Sequence, residues 1–139
     1  MRILLMGNPN VGKSVVFSRL TGVRVVSANY AGTTVEYLIG HMKVGDKTVE
    51  IVDVPGAYTL DPTSEAEEVA RKMLESGDLV INVVDATNLE RNLYLTLQLL
   101  EQDIPVIVAL NLWDDTTHRG IEINVEKLEE LLRVPVVPT

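Results

Sequence analysis

Arg2-Ile3-Leu4-Leu5-Met6 runs directly into Gly7-Asn8-Pro9-Asn10-Val11-Gly12-Lys13-Ser14, and this junction decides the fold. A short apolar run ending in glycine predicts a buried strand. From Lys13 to about Leu20 the pattern turns helical, and Thr21-Gly22 stops it. Strand, glycine-bounded loop and helix in this order fit the G-x-x-x-x-G-K-S pattern of a phosphate-binding loop. The two glycines let the backbone curl so that successive N–H groups point inward, and the helix N-terminus adds partial positive charge. In such loops the lysine reaches the β- and γ-phosphates of a nucleoside triphosphate and the hydroxyl sits on Mg²⁺, which assigns those roles to Lys13 and Ser14. Gly7, Asn8, Pro9, Asn10, Val11, Gly12, Lys13, Ser14 and Val15 are the expected nucleotide-contacting set.

Outward from this loop, apolar runs alternate with helical patterns to the end of the chain, which predicts an α/β fold with a mostly parallel sheet. Residues 23–34 are small, polar and glycine-containing, and read as a loop. Val35–Val44 and Lys47–Val52 flank Gly45-Asp46, a hairpin signal and the one antiparallel departure. Further strands are expected at Leu79–Val84, Pro105–Leu110 and Val134–Val137, giving a six-stranded sheet with one antiparallel edge strand and helices on both faces. Helices are expected over Ser64–Ser76, Leu89–Gln102 and Val125–Leu132. The first of these starts with a capping box, Ser64 and Glu67. Glu65, Glu67 and Glu68 read as a solvated helix face near a positive helix end, with a supporting role in holding water the alternative, chiefly for Glu67. No repeat or linker interrupts residues 1–139, so the chain is expected to be one domain. The absence of a closing helix after the last strand is the expectation for a sequence that stops short of its domain's end.

Composition removes several function classes. The chain has 139 residues, no cysteine and two histidines, so thiolate metal sites and cysteine nucleophiles are excluded. Its net charge is −8, with 12 basic residues scattered among 20 acids, which argues against nucleic acid as the main partner. No apolar run approaches the ~20 residues that span a bilayer, and no signal peptide precedes the first strand, so the fragment reads as soluble and cytosolic.

Two further motifs define the nucleotide. Asp53-Val54-Pro55-Gly56 ends the hairpin's second strand, where Asp53 can hold Mg²⁺ through water and the Gly56 N–H can bond the γ-phosphate. Asn111-Leu112-Trp113-Asp114 follows an apolar strand. The Asp114 carboxylate can accept from both N1–H and the 2-amino group of guanine. Adenine offers neither donor, so the pairing rejects it. Asn111, Leu112 and Asp114 form the expected base-binding set.

With these motifs in order, the chain resembles the translation-factor-like branch of Ras-type GTPases and, within it, the cytosolic G domain of the FeoB ferrous iron transport family. Asn29-Tyr30-Ala31-Gly32-Thr33-Thr34-Val35-Glu36 is similar to that family's N-W-x-G-x-T-V-E, and Asp53–Tyr58 is similar to its D-V-P-G segment. The run from Val83 to Leu100, with Asp85-Ala86-Thr87-Asn88-Leu89-Glu90-Arg91-Asn92 at its centre, is close to a family fingerprint. The resemblance implies a Ras-like sheet, with Thr34 as the switch I threonine that closes on Mg²⁺ and the γ-phosphate; Thr33 is the competing choice. It also implies a GTPase that regulates Fe²⁺ uptake at the cytoplasmic face of the cell membrane. Its implied partners are guanine nucleotide and a membrane-embedded domain of the same longer protein, through which a homo-oligomer is also allowed.

Four departures stand out. Tyr30 replaces the usual tryptophan, and Leu112 replaces the lysine of N-K-x-D, which weakens stacking on the base. The last guanine-contacting motif would fall just past Thr139. Ras-type enzymes often orient the attacking water with a glutamine after D-x-x-G, but Ala57 stands there, so slow intrinsic hydrolysis is expected. In related GTPases an asparagine at the place of Asn10 coordinates K⁺ beside the phosphates, with backbone carbonyls matching Ala28–Tyr30 completing the site. The ion then counters charge developing in the transition state. The resemblance therefore makes Asn10, Lys13, Thr34 and Gly56 the catalytic set, with Mg²⁺ on Ser14, Thr34 and Asp53 and K⁺ as a further candidate on Asn10. The alternatives are a stand-alone ribosome-associated or RNA-modification GTPase, and a nucleotide sensor with negligible turnover.

Overall fold

The first strand sorts its side chains to two faces and thereby builds two cores. Leu4 and Met6 join one buried cluster with Val52, Val80, Val84, Val108 and Leu110, while Ile3 and Leu5 join a smaller one with Ile51, Val83 and Phe17. The computed structural model describes all 139 residues. In chain order the elements are β1 (Arg2–Gly7), α1 (Lys13–Leu20), β2 (Val26–Asn29), β3 (Glu36–Val44), β4 (Lys47–Asp53), α2 (Glu65–Met73), β5 (Leu79–Asp85), α3 (Leu89–Leu100), β6 (Val106–Asn111), α4 (Trp113–His118), α5 (Val125–Leu132) and β7 (Val136–Pro138).

The strands form one sheet in the order β2-β3-β4-β1-β5-β6-β7. Only β3 runs against its neighbours, pairing antiparallel with both β2 and β4. The β3–β4 hairpin closes at Gly45-Asp46, where Val44 pairs with Lys47 and Gly45 has φ 63°. That left-handed backbone explains the glycine.

The sheet has seven strands rather than the six expected. The added one is β2, inside the stretch read as a loop. Val-Ser-Ala-Asn has three exposed positions and one half-buried, so it carries no apolar alternation. It becomes a strand because β3 is long enough to continue its ladder, with Val26 opposite Ile39 and Asn29 opposite Glu36. The antiparallel pairings therefore stay at one end of the sheet, with β2 outermost.

Helices cover both faces unequally. Val69, Ala70 and Met73 of α2, Leu95 and Leu99 of α3, and Leu128 and Leu132 of α5 pack on the larger cluster. Phe17 of α1 serves the smaller one, beside half-buried Leu79 and Ile81. No helix is long and apolar enough to cross a membrane. The phosphate loop follows β1, the Asp53–Gly56 segment follows β4 and Asn111 ends β6. All three motifs thus gather at the carboxyl ends of parallel strands, where open α/β sheets build their sites.

Candidate nucleotide site

The phosphate loop owes its shape to two left-handed residues. Asn10 has φ 65° and Gly12 has φ 80°. Asparagine is among the few residues that tolerate this region. Gly12 is the N-cap of α1, whose first turn holds no acidic residue. A Cβ on Gly12 would lie 2.3 Å from Asn111 Nδ2, and one on Gly7 would lie 2.4 Å from the Val83 carbonyl oxygen. Both glycines are therefore required by close approach.

A cavity of about 520 Å³ opens over this loop, lined by Asn8, Pro9, Asn10, Gly12, Lys13, Ser14 and Gly56. Asn8 is buried, and its Oδ1 has no hydrogen-bond partner. Lys13 Nζ is paired with Asp53 and donates to the Val54 carbonyl at 2.7 Å. Val54 N–H donates to Leu5 O at 3.1 Å and Ala57 N–H to Gly7 O at 3.0 Å, which seats Val54–Ala57 on the root of the loop. Gly56 is pressed on Pro9, where a Cβ would meet backbone at 3.1 Å. Its own N–H donates to no group of the protein.

The Asn111 motif also contacts the loop. Asn111 Nδ2 donates to Val11 O at 2.8 Å, and its Oδ1 accepts from Thr139 Oγ1 at 3.1 Å. Asn111 therefore ties the base motif to the phosphate loop. Leu112 holds φ 60°, uncommon for leucine, and its side chain leans toward Gly12. Asp114 is exposed in the first turn of α4, and its carboxylate accepts no hydrogen bond from the protein.

Not every expected residue is gathered. Val15 is 54% exposed and lies outside the lining set, and its N–H turns back to Gly12 O at 3.1 Å. Thr33 bonds the Tyr30 carbonyl. Thr34 lies beside Glu65 of α2, its N–H 3.4 Å from the carboxylate. Neither threonine lines the cavity, because residues 30–35 are folded as the tight loop of the β2–β3 hairpin, with Tyr30 N–H on Val35 O.

The sequence profile of the family described as "Ferrous iron transport protein B" matches residues 1–139. The chain belongs to that family. It is 46% identical over 142 residues to the Fe(2+) transport protein A/Fe(2+) transporter FeoB fusion protein of Porphyromonas gingivalis, covering all of this chain but 17% of that protein. The structure of the cytosolic domain of L. pneumophila FeoB aligns with a TM-score of 0.96 at 45% identity, covering all of this chain and 56% of the other. A GDP-bound mutant of the S. thermophilus FeoB G-domain aligns at 0.94 with 50% identity, covering all of this chain and 54% of the other. The chain thus spans under a fifth of the length of that relative and about half of those solved chains.

One residue of this FeoB-family domain departs from its reading as a solvated acid. Glu67 is only 7% exposed. Its carboxylate accepts from Thr63 Oγ1 at 2.6 Å, Thr63 N at 3.2 Å and Tyr58 N at 3.2 Å. The capping box is half formed: Ser64 Oγ accepts from Glu67 N at 3.2 Å, but the Glu67 side chain serves Thr63 and Tyr58 instead of the Ser64 N–H. The Thr63 hydroxyl bond, aided by the Thr63 and Tyr58 N–H groups, holds the Glu67 carboxyl below its ordinary value, although burial opposes this. A carboxyl depressed by folding stabilises the native state above its unfolded value of about 4.3, and that contribution is lost as pH falls through the folded value. Glu67→Gln is accordingly expected to cost about 1–3 kcal/mol near neutrality and to flatten the acid limb of the stability curve. Urea unfolding across about pH 3 to 7 measures both effects.

Proposed function

We propose that this chain binds and hydrolyses GTP, and that in its full-length protein this controls ferrous iron transport from the cytoplasmic face of the cell membrane. The observation that carries the reading is the union of three motifs at one sheet end: the phosphate cradle, Asp53 paired with Lys13, and Asn111 tied to Val11. The FeoB family and its GDP-bound G-domain relative support guanine nucleotide as the ligand.

In this reading Gly7–Ser14 curl around the phosphates, and the Lys13 ammonium exchanges Asp53 for phosphate oxygens. The Gly56 N–H, unspent within the protein, donates to the γ-phosphate, and Asp114 accepts from guanine while Asn111 holds the base motif against the loop. The residues that would hold Mg²⁺ are Ser14, whose hydroxyl lines the cavity, Asp53, whose carboxylate is paired with Lys13 beside it, and Thr34, which would reach the ion only once switch I leaves Glu65. Bound there, Mg²⁺ would neutralise charge on the β- and γ-phosphates. Closure brings Thr34 away from Glu65, and Thr33 and Val15 remain at the margin of the nucleotide.

Turnover is slow because Ala57 is 2% exposed, with its N–H committed to Gly7, and offers no polar atom to a water. Asn10 would compensate by holding K⁺ beside the phosphates, and carbonyls of Ala28–Tyr30 would join it only after switch I leaves the β2–β3 hairpin, where the Tyr30 carbonyl accepts from Thr33. The partner that receives the signal is the membrane domain of the same protein, with self-association carried by that longer chain.

The φ of 65° at Asn10 decides how this is tested. Alanine there would strain the loop, whereas glycine removes the amide and keeps the backbone. Hydrolysis by the wild type is expected to be faster in KCl than in NaCl. Asn10→Gly should abolish the difference while GDP affinity stays within about threefold, since the loop's N–H groups remain in place. A wild type indifferent to potassium would overturn the assignment of Asn10.

A further inference from the structure

The run from Asp85 to Leu100 is the most distinctive stretch of the sequence, yet the nucleotide chemistry uses none of it. The structure shows what one side of its helix touches. Gln98 Oε1 accepts from Leu60 N at 2.8 Å and from Thr59 Oγ1 at 3.1 Å, and its Nε2 donates to Asp61 Oδ2 at 3.3 Å. Two turns earlier, the Arg91 guanidinium sits 5.2 Å from the centroid of the Tyr58 ring, in cation–π range. Residues seven apart lie on the same side of a helix, so Arg91 and Gln98 face the segment 58–61 together. Buried Leu95 and Leu99 fix α3 on the sheet. Thr96 donates to Asn82, which in turn donates to the carbonyl of Met6, next to the phosphate loop.

We infer that Gln98 is a positioning residue for the triphosphate state, holding the loop after Gly56 so that the Gly56 N–H stays aimed at the γ-phosphate. The inference rests on the GTP-binding reading above. The segment leaves the phosphate loop at Ala57, whose N–H is bound to Gly7, and is next gripped by Glu67 at Tyr58 and by Gln98 at Thr59–Asp61. Removing the Gln98 grip frees the loop on the α3 side, and a free loop must be ordered again whenever Gly56 engages a γ-phosphate. GDP has no γ-phosphate, so its binding draws nothing from this arrangement. The carboxamide is suited to the task because it presents an acceptor to Leu60 and Thr59 and a donor to Asp61 at once.

The experiment compares affinities for GDP and for a non-hydrolysable GTP analogue in the purified protein. Gln98→Ala, which loses the two accepted bonds and the one donated to Asp61, is expected to weaken the analogue about tenfold while GDP changes less than about twofold. Gln98→Glu keeps the acceptors but sets a carboxylate against Asp61, and should also weaken the analogue. Adding Asp61→Asn to Gln98→Glu turns the pair into donor and acceptor again and should return analogue affinity to within about twofold of wild type. Equal losses for GDP and the analogue would assign Gln98 to general stability and overturn the inference. So would an unchanged ratio, or a double variant no better than Gln98→Glu alone. A wild type that binds neither nucleotide would instead overturn the nucleotide site itself, and this inference with it.

Discussion

Asp114→Ala is expected to lower GDP affinity by about a hundredfold or more, because two hydrogen bonds to a charged acceptor are lost at about 1.5–3 kcal/mol each. The structure makes this a clean measurement. Asp114 is exposed and its carboxylate serves no other group of the protein, so thermal stability should not move with affinity. Asp114→Asn goes further, since it places an amide donor opposite the purine 2-position. Xanthine carries a carbonyl there in place of the guanine amino group, so this variant should prefer XDP to GDP. Competition titrations with the two diphosphates read the inversion. GDP affinity kept within about threefold in the alanine variant would remove Asp114 from the base site.

The second large effect is expected at Gly12, through the backbone. Its φ of 80° is costly for any residue with a Cβ, by about 1–3 kcal/mol. A Cβ would also come within 2.3 Å of Asn111 Nδ2. That amide cannot simply swing aside, because it donates to Val11 O and its oxygen accepts from Thr139. Gly12→Ala should therefore lose both the curl of the phosphate loop and its tie to the base motif. The expected result is no measurable nucleotide binding together with a stability loss of about 2–4 kcal/mol. Gly22→Ala is the control: nothing lies within 4 Å of a Cβ there and its φ is unexceptional, so it should be close to neutral. Binding that survived Gly12→Ala would show that the loop geometry is not what holds the phosphates.

The parts of the site visible in the sequence are those where local chemistry and geometry coincide. Gly12 takes the left-handed backbone the loop needs, Gly45-Asp46 closes a two-residue hairpin, and Ser64 caps α2. What stayed hidden depends on distant segments. β2 owes its strand state to β3, since Val26–Asn29 has no apolar pattern of its own. Glu67 sits in an acid-rich first turn that reads as solvated, and only the folding of Tyr58 and Thr63 over it buries the carboxylate. Gln98 is one polar residue in an amphipathic helix, and nothing in its spacing signals that Leu60 and Asp61 will lie against it. The sequence offers Asn111 as a candidate base-motif residue, but its bond to Val11 spans a hundred positions and cannot be read locally.

On the proposed reading, the β2–β3 hairpin sets what a switch of this domain would cost. Thr34 sits at the tip of that hairpin, with its N–H directed at Glu65, and its two flanks are zipped from Val26↔Ile39 to Asn29↔Glu36. Moving the tip to the phosphate loop therefore draws on the ladder behind it. β2 is mostly exposed and outermost, so little apolar contact resists its peeling. The information about which nucleotide is bound would then be stored as backbone pairing at the rim of the sheet. A neighbouring segment with free strand-forming groups could sense it directly, by competing for the edge that β2 vacates.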